Sequence, residues 1–149
     1  MQAMENIGFL ISDVSRLLRR RFDARARLIG VTRAQWRTLT TLGRNEGINQ
    51  GGLADLLEVE PITLCRMIDR LEEAGHVERR RDPADRRAWR IHLTEKSRPL
   101  LDKLQFIAAD LFEDALVGID ADTRDQFSDT LRRMRANLAP QQSDEAHHG

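Results

Sequence analysis

Arginine is the residue this sequence places where chemistry can be done, and it does so in three groups. Thr63, Arg66 and Arg70 recur at steps of three and four, which puts them on one helical face with Ile62 beside them. Arg79, Arg80 and Arg81 form an unbroken run, and Arg86 and Arg87 follow Asp85 shortly after. A guanidinium is a planar fork of donors that fits phosphate oxygens or the O6 and N7 edge of guanine. Arg66 is the candidate base reader, worth about 1–3 kcal/mol of discrimination on guanine. Its alternatives are a phosphate or an acid of its own chain. Thr63 suits a phosphate and Ile62 a thymine methyl, whereas Arg70 has a rival partner in Glu73, three residues on. The three-arginine run would neutralise phosphates and make binding salt-dependent, or form no more than a solvated basic hairpin. Of Arg86 and Arg87, one can enter a narrow, strongly negative minor groove while Asp85 braces the other. Asn49 and Gln50 would offer backbone amides to phosphate at a helix start, or serve as plain caps.

These residues need elements to hold them. Leu64, Met67, Ile68 and Leu71 give the apolar stripe of a helix, with Pro61 in its first turn and Gly75 placed to stop it. An extended piece, the turn Asp82-Pro83-Ala84-Asp85 and a second extended piece over 88–93 follow. In the second piece Trp89, Ile91 and Leu93 alternate with Arg90 and His92. Helix, strand, basic turn, strand is the layout of a recognition helix with a wing. Upstream, Thr32 and Gln35 form a capping box for a helix through Trp36, Leu39 and Leu42 to about residue 44. Asn49 can cap a short helix over 50–57. The two short helices and the tight turn between them complete a helix-turn-helix.

Long helices flank this lobe. Residues 5–28 carry Ile7, Leu10, Ile11, Val14, Leu17, Leu18 and Phe22 at helical spacing, ending at Gly30. Thr94 is read as the N-cap of a fifth helix running to about residue 117, with Pro99 just past its first turn and able to bend it. After Gly118, Asp120 or Asp122 caps a sixth helix bearing Phe127, Leu131, Met134 and Leu138. Such stripes exceed what one small winged lobe can cover, and an exposed apolar patch marks an association surface. A two-fold homodimer is the expected answer. It would set two recognition helices one DNA turn apart, ~34 Å, to suit a palindromic operator. The predicted fold is thus mainly α with a small β-wing. It is a single domain, 1–149, with a DNA-binding lobe at 32–94, dimerisation helices at 5–29 and 95–139, and a disordered tail at 140–149.

Charge agrees with that division. The net charge is zero, yet residues 1–101 carry 19 Lys/Arg against 14 Asp/Glu, and residues 102–149 carry 5 against 10. A polyanion partner for one region would produce such a split; so would ordinary unevenness of faces. No apolar run reaches membrane-spanning length, no secretory leader is visible, and a single cysteine allows no internal disulfide, so the cytoplasm is the expected compartment.

Other chemistry finds little support. His76, His92, His147 and His148 lack metal-site spacing, and no phosphate loop, nucleophile elbow or H-E-x-x-H motif is present, so neither an enzyme nor a cofactor is expected. Cys65 lies beside Arg66, which could lower its pKa and support a redox-responsive regulator; a small half-buried filler is the simpler reading. A winged-helix module that binds protein would need an apolar outer face on helix and wing, where this sequence has arginines.

Residues 5–138 resemble the MarR family of bacterial regulators. Asp85-Arg86-Arg87, five further residues and Leu93-Thr94 match its D-x-R-x5-L-T wing pattern, and Asp69-Arg70-Leu71-Glu72 with Gly75 matches the end of its recognition helix. Trp36 and the Glu95-Lys96…Pro99-Leu100 stretch are most similar to the SlyA-like branch. The resemblance implies a winged-helix dimer, usually a repressor, often released by small aromatic acids. It favours Asp85 bracing Arg87 with Arg86 reaching out. It also implies a carboxylate pocket made by Arg16, Arg19, Trp36 and Arg66; without a pocket, Trp36 would be core and the arginines would snorkel. An Arg66 shared by effector and DNA would make the two compete. The family's peroxide sensors carry their cysteine near the N-terminus, where this chain has none.

Overall fold

A computed structural model describes residues 2–140. From residue 141 on, the expected tail lies outside the described residues. Among the described residues, six α-helices and one two-stranded sheet follow in the order α1 (Gln2–Leu28), α2 (Arg33–Arg44), α3 (Gln50–Leu57), α4 (Pro61–Glu73), β1 (Val77–Arg81), β2 (Trp89–Leu93), α5 (Arg98–Ala115) and α6 (Ala121–Leu138). The chain divides into two compact units, residues 1–111 and 112–149. No helix among the described residues is long and apolar enough to cross a membrane.

Helix boundaries follow local chemistry. At α2, Thr32 Oγ1 accepts from Gln35 N–H at 3.2 Å and Gln35 Oε1 accepts from Thr32 N–H at 3.0 Å, which satisfies two otherwise orphan donors. Asn49 caps α3 by accepting from Gly52 N–H at 2.7 Å, and Asp120 caps α6 through Thr123 N–H at 2.8 Å. α4 has no side-chain cap; Pro61 at its start has no N–H to satisfy and is preset for helix. It ends at Gly75, whose φ of +82° is left-handed, while His76 N–H reaches back to Leu71 O at 2.9 Å.

The core of the lobe is Leu39 and Leu42 from α2, Leu53 and Leu57 from α3, Leu64, Ile68 and Leu71 from α4, Val77 from β1 and Ile91 from β2. Five elements thus close on one another, and Leu100 and Leu101 at the start of α5 pack against them. A smaller cluster joins Phe22 and Ala26 of α1 to Val31, Leu104 and Leu111. In residues 112–149, α6 buries no residue at all; Arg124 holds it to the preceding turn through Leu116 O and Ile119 O, both at 2.8 Å.

Two boundary expectations need correction. Thr94 makes no side-chain cap; its hydroxyl donates to Gly75 O at 2.5 Å and fastens the end of β2 to the end of α4. A short 3-10 turn, Glu95–Ser97, intervenes, so α5 starts at Arg98 and Pro99 falls within its first turn, where a missing N–H costs nothing. The sheet is also wider than two strands suggest. Gly47 N–H donates to Ile91 O at 2.9 Å and Ile91 N–H to Ile48 O at 3.0 Å, so the segment before α3 bridges β2 at Asn49 and Arg90.

Candidate nucleic-acid interface

α4 turns Leu64, Ile68 and Leu71 inward and leaves Ile62, Thr63, Arg66 and Arg70 exposed on the opposite side. Arg66 makes no hydrogen bond or ion pair among the described residues. Nor does the Arg70 side chain, so its expected pairing with Glu73 does not form. Gln50 and Asn49 stand at the start of α3, with the Asn49 side chain occupied as a cap.

The wing is an antiparallel hairpin with Val77 opposite Leu93, Arg79 opposite Ile91 and Arg81 opposite Trp89. Strand alternation therefore sends Val77, Arg79 and Arg81 to the inner face and Glu78 and Arg80 outward. This corrects the expectation that Arg79, Arg80 and Arg81 act alike on phosphate. Arg79 is only 13% exposed and turned onto α4. It donates to Asp69 at 2.7 Å and to Glu72 Oε1, Cys65 O and Gln50 Oε1, each at 3.2 Å. Burial lowers the Arg79 pKa, but the Asp69 hydrogen bond and the charges of Asp69 and Glu72 outweigh it, so the net shift is upward. Arg80 pairs with Glu78 on the outer face. Arg81 lies 4.0 Å over the Trp89 ring and donates to Arg86 O at 2.6 Å, so it shapes the turn from below.

Asp85 Oδ1 accepts from the Arg87 backbone N–H at 3.0 Å and does not hold its guanidinium. The guanidinium groups of Arg86 and Arg87 are both exposed and both without a partner among the described residues. A residue that the sequence reading placed in the turn but gave no role anchors it. Asp82 is buried and accepts from Ala84 N–H at 2.8 Å, Asp85 N–H at 3.4 Å and Arg90 Nε at 3.0 Å. The Ala84 bond above all, with those from Asp85 and Arg90, outweighs burial and lowers its pKa. Arg90 also donates to Gly47 O at 3.1 Å, tying the wing to the segment before α3. The signal was present, since Asp at the first position of a Pro-containing turn is the residue that bonds its own backbone two residues on.

The four residues expected to form an effector pocket are not brought together by contact. Trp36 packs on Phe22, ring centroids 4.4 Å apart, and donates from Nε1 to Asp23 at 2.7 Å. Arg16 pairs with Asp13 at 3.5 Å, while Arg19 is exposed and has no partner among the described residues. The cleft beside Asp23 is lined by Arg20, Arg27, Thr32 and Arg33 instead. Burial raises the Asp23 pKa, but hydrogen bonds from Arg33 and Trp36 and the charges of Arg33 and Arg27 more than offset it, so the carboxyl sits below its ordinary range. Cys65 is half-buried, and the cation within reach of its sulfur is Arg79 at 3.8 Å, not the neighbouring Arg66.

Comparison with known proteins gives this geometry its context. The family model described as MarR matches residues 31–89, which span α2, α3, α4, β1 and the wing turn. A MarR transcriptional regulator from Methanosarcina mazei Go1 is 33% identical, with 89% of this chain and 96% of that one aligned at a TM-score of 0.78. The chain belongs to the MarR family. The transcriptional regulator PA3341 is 37% identical over 89% of this chain and 97% of its own, with a TM-score of 0.75. Apo wild-type MarR from E. coli is 26% identical over 85% and 94%, with a TM-score of 0.74. In this MarR-family chain the helix, strand, turn and strand described above are the winged helix of a DNA-binding regulator, and MarR-family regulators are generally not enzymes.

Proposed function

We propose that the chain acts as a homodimer on a two-fold symmetric DNA site, with the exposed face of α4 in the major groove and the wing turn against the minor groove. The observation that carries this reading is the pattern of unused cations. Arg66 and Arg70 on α4, and Arg86 and Arg87 on the wing, are exposed and without partners among the described residues, whereas Arg79, Arg80 and Arg81 are all engaged within the chain. Exposed unpaired guanidinium groups on two adjoining prominences suit bases in one groove and phosphates or the narrow groove beside it. Thr63 and Ile62 join Arg66 as base-facing groups, and Asn49 and Gln50 offer the amides of the α3 start to phosphate. The absence of an apolar outer face disfavours a purely protein-binding module.

Dimerisation is supported by the apolar face of α1, where Ile7, Leu10, Ile11, Val14 and Leu17 are exposed in the single chain. Residues 5–29 and 95–139 take that role in this proposal, and the lobe at 32–94 takes DNA. Repression in the cytoplasm, with release by a small aromatic carboxylate as in the SlyA-like branch, is the regulatory form we favour.

Footprinting on the DNA upstream of the protein's own gene, with salt varied and Arg86→Ala/Arg87→Ala beside wild type, tests the reading. A symmetric footprint that weakens with salt and disappears in the variant is expected. Equal binding to any duplex, unchanged by the substitutions, overturns it.

A further inference from the structure

Arg79 is more fully coordinated than any exposed role requires. Its guanidinium meets three elements at once: Gln50, the first residue of α3; the Cys65 carbonyl, Asp69 and Glu72 of α4; and β1, from which it springs. Glu72 closes the arrangement with its other oxygen, accepting from the backbone N–H of Arg79 at 3.0 Å. Five oxygen acceptors on two helices thus converge on one strand residue whose side chain is 13% exposed. The sequence distances spanned are 7, 14 and 29 residues, so none of these bonds is a local consequence of the hairpin. Opposite Arg79 stands Ile91, part of the lobe's core, so its stem is fixed from the other strand as well.

From this we infer that Arg79 is a positioning residue for DNA recognition: it sets the wing against α4 and the α3 start without touching DNA itself. The inference rests on the function proposed above, because only a protein that uses α4 and the wing together has its affinity governed by the angle between them. Chemistry separates this role from phosphate contact. Lysine preserves a point charge but lacks the planar fork that serves acceptors on two helices at once. A phosphate-binding Arg79 would tolerate Arg79→Lys; a positioning Arg79 does not.

The test uses the full chain as Arg79→Lys and Arg79→Gln, each also in the Arg86→Ala/Arg87→Ala background, with Asp69→Asn as a milder cut from the acceptor side. Hydrogen exchange of the free protein is read first. Both Arg79 variants should speed exchange of the wing amides 77–81 and 89–93 by about tenfold, the scale of one lost charge-assisted hydrogen bond, while the amides of Leu64, Ile68 and Leu71 stay as in wild type. Asp69→Asn should move the same amides in the same direction, by less. Binding to the duplex upstream of the gene should then fall about tenfold for Lys and Gln alike. With Arg86 and Arg87 already removed, Arg79→Lys should cost no more than about twofold, because the wing then has little left to misplace. Unchanged wing exchange in both variants overturns the inference, as does Arg79→Lys binding like wild type while Arg79→Gln does not. Should wild type fail to prefer that duplex over random DNA, the proposed function falls, and the exchange result still decides whether Arg79 positions the wing.

Discussion

The winged lobe and the first half of α1 carry apolar stripes of similar spacing, yet the lobe buries its stripe and α1 does not. Leu39, Leu42, Leu53, Leu64, Ile68 and Ile91 are all at or near zero exposure, whereas Ile7, Leu10, Ile11, Val14 and Leu17 are each about half exposed. Three short helices and a hairpin can surround one another; a long helix touches its neighbours only where they reach it, here in its second half around Leu18, Phe22, Asp23 and Ala26. In residues 112–149, α6 repeats the α1 pattern, with Phe127 and Leu131 exposed and nothing buried. Spacing therefore says that a face is meant to be covered, not by what. The contrast teaches that the lobe covers its own stripe within one chain, whereas the outer helices leave apolar faces open in the single chain.

The comparison can be broken first at its strong end. Ile68→Ala removes a core side chain at zero exposure and should cost about 2–5 kcal/mol of unfolding free energy, read by urea denaturation. A cost below about 1 kcal/mol would mean the lobe core is looser than its burial implies. At the weak end, Leu10→Asp with Leu17→Asp should leave the lobe folded and halve the mass in sedimentation, since a charge opposes association while a solvated face accepts it. An unchanged dimer would place the interface elsewhere; a monomeric wild type would remove the need for one.

A smaller effect is expected where α1 meets the lobe. Asp23 is 13% exposed and holds both Arg33 and Trp36. Asp23→Asn should cost about 1.5–3 kcal/mol, the scale of a hydrogen bond to a charged group. Because its folded pKa lies below the ordinary 3.8, its stabilisation is present above that value and is lost as pH falls through the folded value. Acid titration of the thermal midpoint should show this loss, shared with Asp82 and Asp120, whose pKa values are also lowered, and the Asn variant should flatten it in part. An identical acid limb in the variant would show that Asp23 contributes nothing there. The smallest effect belongs to the α3 cap: Asn49→Ala should lower stability by about 1 kcal/mol. A larger loss of DNA affinity than of stability would sharpen the case for the α3 start as a phosphate contact.

What the sequence determined by itself is whatever depends on near neighbours. Caps at Thr32 and Asn49, a cap at Asp120 or Asp122, the stop at Gly75 and the inward row Leu64, Ile68 and Leu71 are decided within four residues, by backbone donors that need an acceptor and by helical period. The wing pattern from Asp85 to Thr94 and the family were legible for the same reason. What only the tertiary structure decided is the partner of each charged group. Arg79, Arg80 and Arg81 are one residue type in a row, and only the pairing of β1 with β2, with Val77 inside, sends the first toward Asp69 and the second toward solvent. Counting in twos from Val77 would have given the parity of that strand, but not Gln50 or Cys65 as acceptors. Thr94 looked like a cap and became a tie to Gly75, and Trp36, read as a pocket wall or core, gives its N–H to Asp23. A buried polar group takes the partner that packing brings within 3 Å, and packing is settled by the apolar residues around it.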